Sequence, residues 1–223
     1  QTGIKRLFHI SFKYFALKRA KGIICVSEFT KNELIDYYPF CSKKIIRVIH
    51  NGVDEQFKPL VNVKPLIEGK YILYVGTRYA YKNFHEVVEC SSRLKDFKLI
   101  LVGGGVLTNS ESELLNSNLA HRYYHFQNVT TADLNNYYNH AICLLYLSEY
   151  EGFGIPIVEA MKSGCPVVAF ANASIPEVAG NAGILLNPSA DTSLIISEIS
   201  KLMEYHHRRE VIENGLLMSN PYS

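Results

Sequence analysis

Apolar residues in this chain gather in short unbroken runs rather than alternating with polar ones. Residues 22–26 (GIICV), 45–49 (IIRVI), 71–75 (YILYV), 98–102 (KLILV), 142–147 (ICLLYL) and 166–170 (PVVAF) are apolar almost throughout. A strand covered on both faces reads this way, and such strands belong to parallel sheets. Helical patterns lie between the runs. SEFTKNELIDYY starts at Ser27, with Thr30 and Glu33 at capping-box spacing. NFHEVVECSSRL puts Phe84, Val87, Val88 and Leu94 on one face. TTADLNNYY offers Thr131 as a cap. DTSLIISEISKLMEY offers Asp191 as a cap and an apolar stripe of Leu194, Ile195, Ile199, Leu202 and Met203. Alternation of strand and helix with short turns predicts an α/β fold, a Rossmann-like doubly wound parallel sheet.

The weakest periodicity falls in 54–69, DEQFKPLVNVKPLIEG, which carries two prolines. It is expected to connect a short unit, 1–53, to a larger one, 70–223. The short unit holds only two strand runs, too few for an independently stable sheet. It therefore reads as the remnant of another domain. The length of 223 residues allows one large or two small domains.

Composition narrows the class. Hydrophobic residues make up 48% and charged residues 20%, as in ordinary globular proteins. The net charge of +2 gives no reason to expect nucleic acid as a partner. Cys25, Cys41, Cys90, Cys143 and Cys165 are odd in number and widely spaced, with no CxxC. That pattern predicts a reducing compartment, without a disulfide frame or structural zinc. No apolar run approaches the roughly 20 residues of a membrane helix, and QTGIKRLF is not a signal peptide. It also lacks an initiator Met. A cytoplasmic location is expected. Charge is uneven, however. Lys5, Arg6, Lys13, Lys18, Arg19 and Lys21 give residues 1–21 six positive charges and no acid, interleaved with Leu7, Phe8, Ile10, Phe12, Phe15 and Leu17. A basic amphipathic helix of this kind either packs its apolar side into a domain or lies on anionic lipid at the inner face of a membrane.

One decapeptide concentrates the candidate chemistry. In EGFGIPIVEA, Glu151 and Glu159 flank a Gly-Phe-Gly turn. ICLLYL reads as a strand, and Ile155 to Lys162 as a helix with Pro156 in its first turn, where a missing N–H costs nothing. Gly164 fits the C′ position after that helix. The turn therefore sits at the C-terminal end of a parallel strand, where open α/β sheets bind ligands. Gly152 and Gly154 allow backbone N–H groups close to an anion, and the helix N-terminus adds partial positive charge. A phosphate fits there. The carboxylates, which only accept hydrogen bonds, suit sugar hydroxyls. A ligand carrying both phosphate and sugar is indicated. An ordinary strand–helix turn, with Glu159 favouring the helix dipole, is the alternative.

EGFGIPIVEAMKSGCPVVAFANASIPEVAGNAGILLNP resembles the donor-binding domain of retaining glycosyltransferases of the GT-B fold, whose mark is E-x7-E, here Glu151 and Glu159. YVGTRYAYKNF is similar to their G-T-x-x-x-R-K-N stretch, beginning at Gly76 and Thr77. VSEFTKNELIDYYPFCSKKIIRVIHNGVDEQFKP is similar to the end of their acceptor domain and its connection. Together these span most of 20–190. The resemblance implies that Glu159 holds ribose hydroxyls and Glu151 the transferred sugar. Backbone N–H groups from Phe153 to Ile155 would meet the diphosphate or the sugar, beside Pro156. Lys82 matches the family lysine that neutralises the leaving diphosphate. Tyr81 stands where the family has arginine, and Arg78, three residues earlier, is the substitute candidate. No cofactor and no metal are implied, only a nucleoside diphosphate sugar, GDP- or UDP-linked, as donor, and a glycan or lipid-linked acceptor. SIPEVAGNAG leans toward mannosyl- and hexosyltransferases of surface polysaccharide synthesis. An acceptor domain of this family is normally longer than the part seen here. A truncated form, or a sugar-nucleotide binding module that needs a partner chain, is therefore expected.

Other signals are weaker. LVGGGV (101–106) has Thr108 where a dinucleotide fingerprint needs a third glycine, which argues against a dehydrogenase and for the turn after a strand, with nucleotide contact as an open alternative. His121 and His125 have metal-like spacing but no HExxH glutamate or third ligand. HHRR (206–209) reads as a solvated helix end.

Overall fold

The computed structural model describes residues 3–222, with side chains from residue 10 onward. It divides into two compact units, 1–51 and 52–223.

In the smaller unit, helix α1 (Gly3–Arg19) leads into strand β1 (Gly22–Cys25). Helix α2 (Glu28–Tyr37) and a 3₁₀ turn follow, then strand β2 (Ile45–Val48), parallel to β1. Ser27 caps α2 by accepting a hydrogen bond from the Thr30 amide at 3.0 Å. Ile24 and Ile45 remain exposed on the two-stranded sheet. On α1, Tyr14 packs edge-on against Phe40, while Phe12 and Phe15 are exposed. Lys5, Arg6, Leu7 and Phe8, on which the lipid-facing expectation also rests, lie outside the residues whose side chains are described.

The larger unit is a six-stranded parallel sheet. Its strands are β3 (Tyr71–Val75), β4 (Lys98–Val102), β5 (Tyr123–Phe126), β6 (Cys143–Tyr146), β7 (Val167–Phe170) and β8 (Ile184–Leu186). Their order is β5-β4-β3-β6-β7-β8, the doubly wound order whose direction reverses between β3 and β6. Helices α3 (Phe84–Arg93), α4 (Asn109–Leu119), α5 (Thr131–His140), α6 (Ile155–Lys162), α7 (Ile175–Ala179), α8 (Thr192–Lys201) and α9 (Tyr205–Ser219) complete it. The central strands are buried along their length, which is why they read as unbroken apolar runs.

Several expectations shift. Strand β5 is YYHF, with polar and aromatic positions at a sheet edge, so its sequence shows no apolar run. The cap of α5 is Thr130 rather than Thr131, accepting from the Asp133 amide. On α8, Ile195, Ile199 and Leu202 are buried, but Leu194 and Met203 are exposed, so the stripe is narrower than expected. HHRR lies within the first turns of α9 and is not simply solvated: Arg208 donates to the Ile142 and Ala141 carbonyls at 2.6 and 2.8 Å. The 54–69 stretch, expected as a connection, is fastened to α5. Asn135, Asn136 and Asn139 accept from the amides of Lys58, Leu66 and Leu60. Asn136 and Asn139 also donate to the Lys64 and Lys58 carbonyls.

Candidate active site

The strand order reverses between β3 and β6, and at such a switch point open α/β sheets bind ligands in the crevice outside the C-terminal strand ends. The loop after β3 carries GTRYAYKN, and the loop after β6 carries SEYEGFG. The chain thus brings together the two stretches that sequence pattern singled out. Direct contacts join them. The Asn83 side chain donates to the Leu147 carbonyl at 3.0 Å. The Glu149 amide donates to the Tyr81 carbonyl at 2.7 Å. Lys82 and Glu151 form an ion pair, largely shielded from solvent. Asn83 can turn the chain because it adopts a left-handed conformation, φ 49°, between the 3₁₀ turn at 80–82 and α3.

Tyr146, the last residue of β6, lies beneath this pair. Its hydroxyl accepts from Lys82 Nζ at 3.3 Å, and the ammonium also sits 5.0 Å from the Tyr146 ring centroid. Burial and then the Glu151 charge push the Tyr146 hydroxyl far above the ordinary tyrosine range, so it stays protonated. Tyr81 contributes a second ring, with Lys82 Nζ 5.5 Å from its centroid.

Glycine geometry shapes the second loop. Gly154 takes φ +97° as the N-cap of α6, with Ile155 and Pro156 as the first helical residues. Phe153 is buried with its ring edge-on to Tyr222, 5.7 Å between centroids. Ser174, fully buried, hydrogen-bonds through its hydroxyl to the Glu151 and Phe153 carbonyls at 2.8 and 3.1 Å. The α6 N-terminus therefore meets the crevice on a loop held from behind. Glu159 lies one turn further along α6, with Oε2 accepting from the Tyr138 hydroxyl at 2.9 Å. Burial raises the Glu159 carboxyl above its ordinary range, and the Tyr138 hydrogen bond partly offsets this.

Arg78, expected toward the phosphates, faces the loop after β4. Its Nε bonds Glu111 at 2.9 Å, and its terminal nitrogens donate to the carbonyls of Gly103, Gly104, Gly105 and Val106 at 3.1–3.2 Å. Its side chain is only 2% exposed. The three glycines all have positive φ, and a Cβ on Gly104 would collide with the Arg78 guanidinium and the Gly76 carbonyl. Glu111 also completes a capping box with Thr108 at the start of α4. Desolvation acts to raise the Glu111 carboxyl, but hydrogen bonds from Thr108 and Arg78 outweigh it and hold the carboxyl below its usual range. Gly76, with φ +118°, donates its amide to the Val102 carbonyl at 3.0 Å, and Thr77 accepts from the Tyr74 hydroxyl. His125 Nε2 lies 3.1 Å from the Gly103 carbonyl. Among the described residues, no group of three or more His, Cys, Asp or Glu side chains could hold a metal ion.

Tyr138, Tyr146 and Ser174 escaped the sequence pattern. Tyr146 left one trace, a hydroxyl-bearing residue closing an otherwise apolar strand at its ligand-facing end. Tyr138 and Ser174 left none, because their partners are distant in sequence.

The family profile described as Glycosyl transferases group 1 matches residues 60–217. This chain belongs to that family. A second profile, Glycosyltransferase Family 4, matches residues 1–57. O-antigen chain mannosyltransferase B of Escherichia coli is 29% identical over 225 residues, which cover 93% of this chain and 58% of that protein. O-antigen chain mannosyltransferase RfbU of Salmonella typhimurium is 28% identical over 193 residues, 85% of this chain and 53% of that protein. The chain thus spans little more than half the length of these relatives. A glycosyltransferase from Rickettsia africae ESF-5 superposes with a TM-score of 0.78 at 24% identity, over 91% of this chain and 59% of that one. The fold is that of GT-B glycosyltransferases.

Proposed function

We propose that the switch-point crevice is the donor site of a hexosyltransferase that moves a sugar from a nucleoside diphosphate to a glycan or lipid-linked acceptor. The observation that carries this is the meeting of Lys82 and Glu151 beside the α6 N-terminus, where the sheet order reverses. Lys82 and the helix N-terminus supply positive charge where a leaving diphosphate gains negative charge, the main lever for such a transfer. They meet this need without a metal ion or cofactor. Donor binding then draws Lys82 away from Glu151. The freed Glu151 carboxylate accepts from hydroxyls of the transferred sugar and positions it, and the resemblance of the E-x7-E stretch to retaining transferases supports retention without a covalent enzyme intermediate. Glu159 accepts from the ribose hydroxyls. Arg78 supports the crevice rim by fixing the Gly103–Gly105 turn.

The relatives named as mannosyltransferases favour mannose as the sugar, and the resemblance of SIPEVAGNAG leans toward a GDP carrier, with UDP-linked glucose as the second candidate. The basic residues of 5–21, with Phe12 and Phe15 exposed, provide a peripheral contact to an anionic membrane on its cytoplasmic side. The donor site is tested by calorimetric titration of the chain with GDP, UDP, ADP and NAD. One nucleoside diphosphate should bind more tightly than NAD, and Lys82→Ala and Glu159→Ala should each weaken that binding by about tenfold or more, the loss of one hydrogen bond to a charged group. Preference for NAD, or full binding by both variants, would overturn the assignment.

A further inference from the structure

Glu159 stands on α6, where a long side chain has rotamer freedom, yet one of its oxygens is already fixed. The Tyr138 hydroxyl donates to Oε2 at 2.9 Å from the neighbouring helix α5. Tyr138 itself cannot move freely. Its ring is fully buried and packs edge-on against Phe57, 5.9 Å between centroids. Phe57 precedes Lys58, whose amide and carbonyl are held by Asn135 and Asn139 of the same helix. A rigid donor therefore reaches Glu159 from the protein interior. An ionised carboxylate has about four lone-pair sites on its two oxygens. Tyr138 occupies one of them, on Oε2, which leaves the other sites of the carboxylate for further donors.

We propose that Tyr138 is a positioning residue for sugar recognition: its hydroxyl fixes the Glu159 carboxylate so that vicinal ribose hydroxyls can donate to it. This rests on the donor-site assignment above. The hydroxyl has a second effect, because burial disfavours the ionised form of Glu159 and the Tyr138 hydrogen bond opposes that. Ribose binding requires the ionised, acceptor-only form. It should therefore strengthen as pH rises through the Glu159 titration, and loss of the Tyr138 hydroxyl should move that rise to higher pH.

The test compares the best-binding ribonucleoside diphosphate with its 2′,3′-dideoxy analogue, for the unsubstituted chain and for Tyr138→Phe, across pH. Phe keeps the ring packing and removes only the hydroxyl. The unsubstituted chain should prefer the ribonucleotide. Tyr138→Phe should bind the ribonucleotide about tenfold more weakly, as expected for loss of one hydrogen bond to a charged group. It should bind the dideoxy analogue unchanged and show its pH midpoint shifted upward. In a Glu159→Gln background, the same Tyr138→Phe change should have little further effect. An unchanged ribose preference and midpoint in Tyr138→Phe would overturn the positioning role alone. An unsubstituted chain indifferent to the ribose hydroxyls would overturn the Glu159 assignment and this inference with it. Should Tyr138→Phe fail to fold, proton NMR of the unsubstituted chain decides: a slowly exchanging Tyr138 hydroxyl proton should be present and should shift in Glu159→Gln. A rapidly exchanging hydroxyl would contradict the contact.

Discussion

Lys82, Glu151, Glu159 and Arg78 are all committed to protein partners, and the kind of partner separates their roles. Lys82 and Glu151 hold each other, and the proposed donor's phosphate and sugar would separate them. Arg78 is different, since its buried guanidinium is held by Glu111 and by four carbonyls of the loop after β4. Removing one partner of a buried pair leaves the other uncompensated. Arg78→Met should therefore destabilise the chain by about 3 kcal/mol, measured by denaturant unfolding. The Glu111 carboxyl sits below its usual range in the folded chain, so its contribution is full above the ordinary glutamate value. It should be lost as pH falls through the lowered folded value. Unfolding of the unsubstituted chain should show that acid-side loss, and Glu111→Gln should flatten it. Glu159 has the opposite sign, because its folded value is raised. Its ionisation at neutral pH opposes folding. Glu159→Gln should therefore raise the thermal midpoint of the ligand-free chain while weakening nucleotide binding. A lowered midpoint would show that Glu159 is retained for stability.

At the scale of elements, the site is made by loops that the sheet edge brings together and by helices that hold those loops from behind. Much of this was legible. The buried strands announced themselves as apolar runs, and Gly-Phe-Gly-Ile-Pro marked the turn into α6, because each signal is local. The remainder depends on distant partners. Strand β5 is an edge strand with mixed exposure, so its pattern carried no apolar run. Arg78 could be placed in the right loop, but only the fold shows that the glycine turn after β4 lies within its reach. The 54–69 stretch has no periodicity because its order comes from amide side chains of α5 rather than from its own pattern. Asn139 bonds both the amide of Leu60 and the carbonyl of Lys58. Asn139→Ala should leave those groups unpaired, at about 1–3 kcal/mol. It should also open residues 58–66 to limited proteolysis, with cleavage there faster than in the unsubstituted chain.

At the scale of the whole molecule, the larger unit is a doubly wound sheet whose two switch-point loops are tied to each other. Asn83–Leu147, Glu149–Tyr81 and Lys82–Glu151 already join the two crevice loops. Preorganised charge of this kind serves a reaction in which negative charge develops on a leaving group. The central claim is that this crevice receives a nucleoside diphosphate, and a crystal structure of the chain with its best-binding nucleoside diphosphate tests it most directly. Phosphate oxygens should lie within hydrogen-bond distance of Lys82 Nζ and the backbone amides of 153–155, with Glu159 on the ribose and the Lys82–Glu151 pair separated. A nucleotide seated instead in the cleft lined by Tyr79, His85, Glu86 and Glu89, with Lys82 still on Glu151, would contradict it.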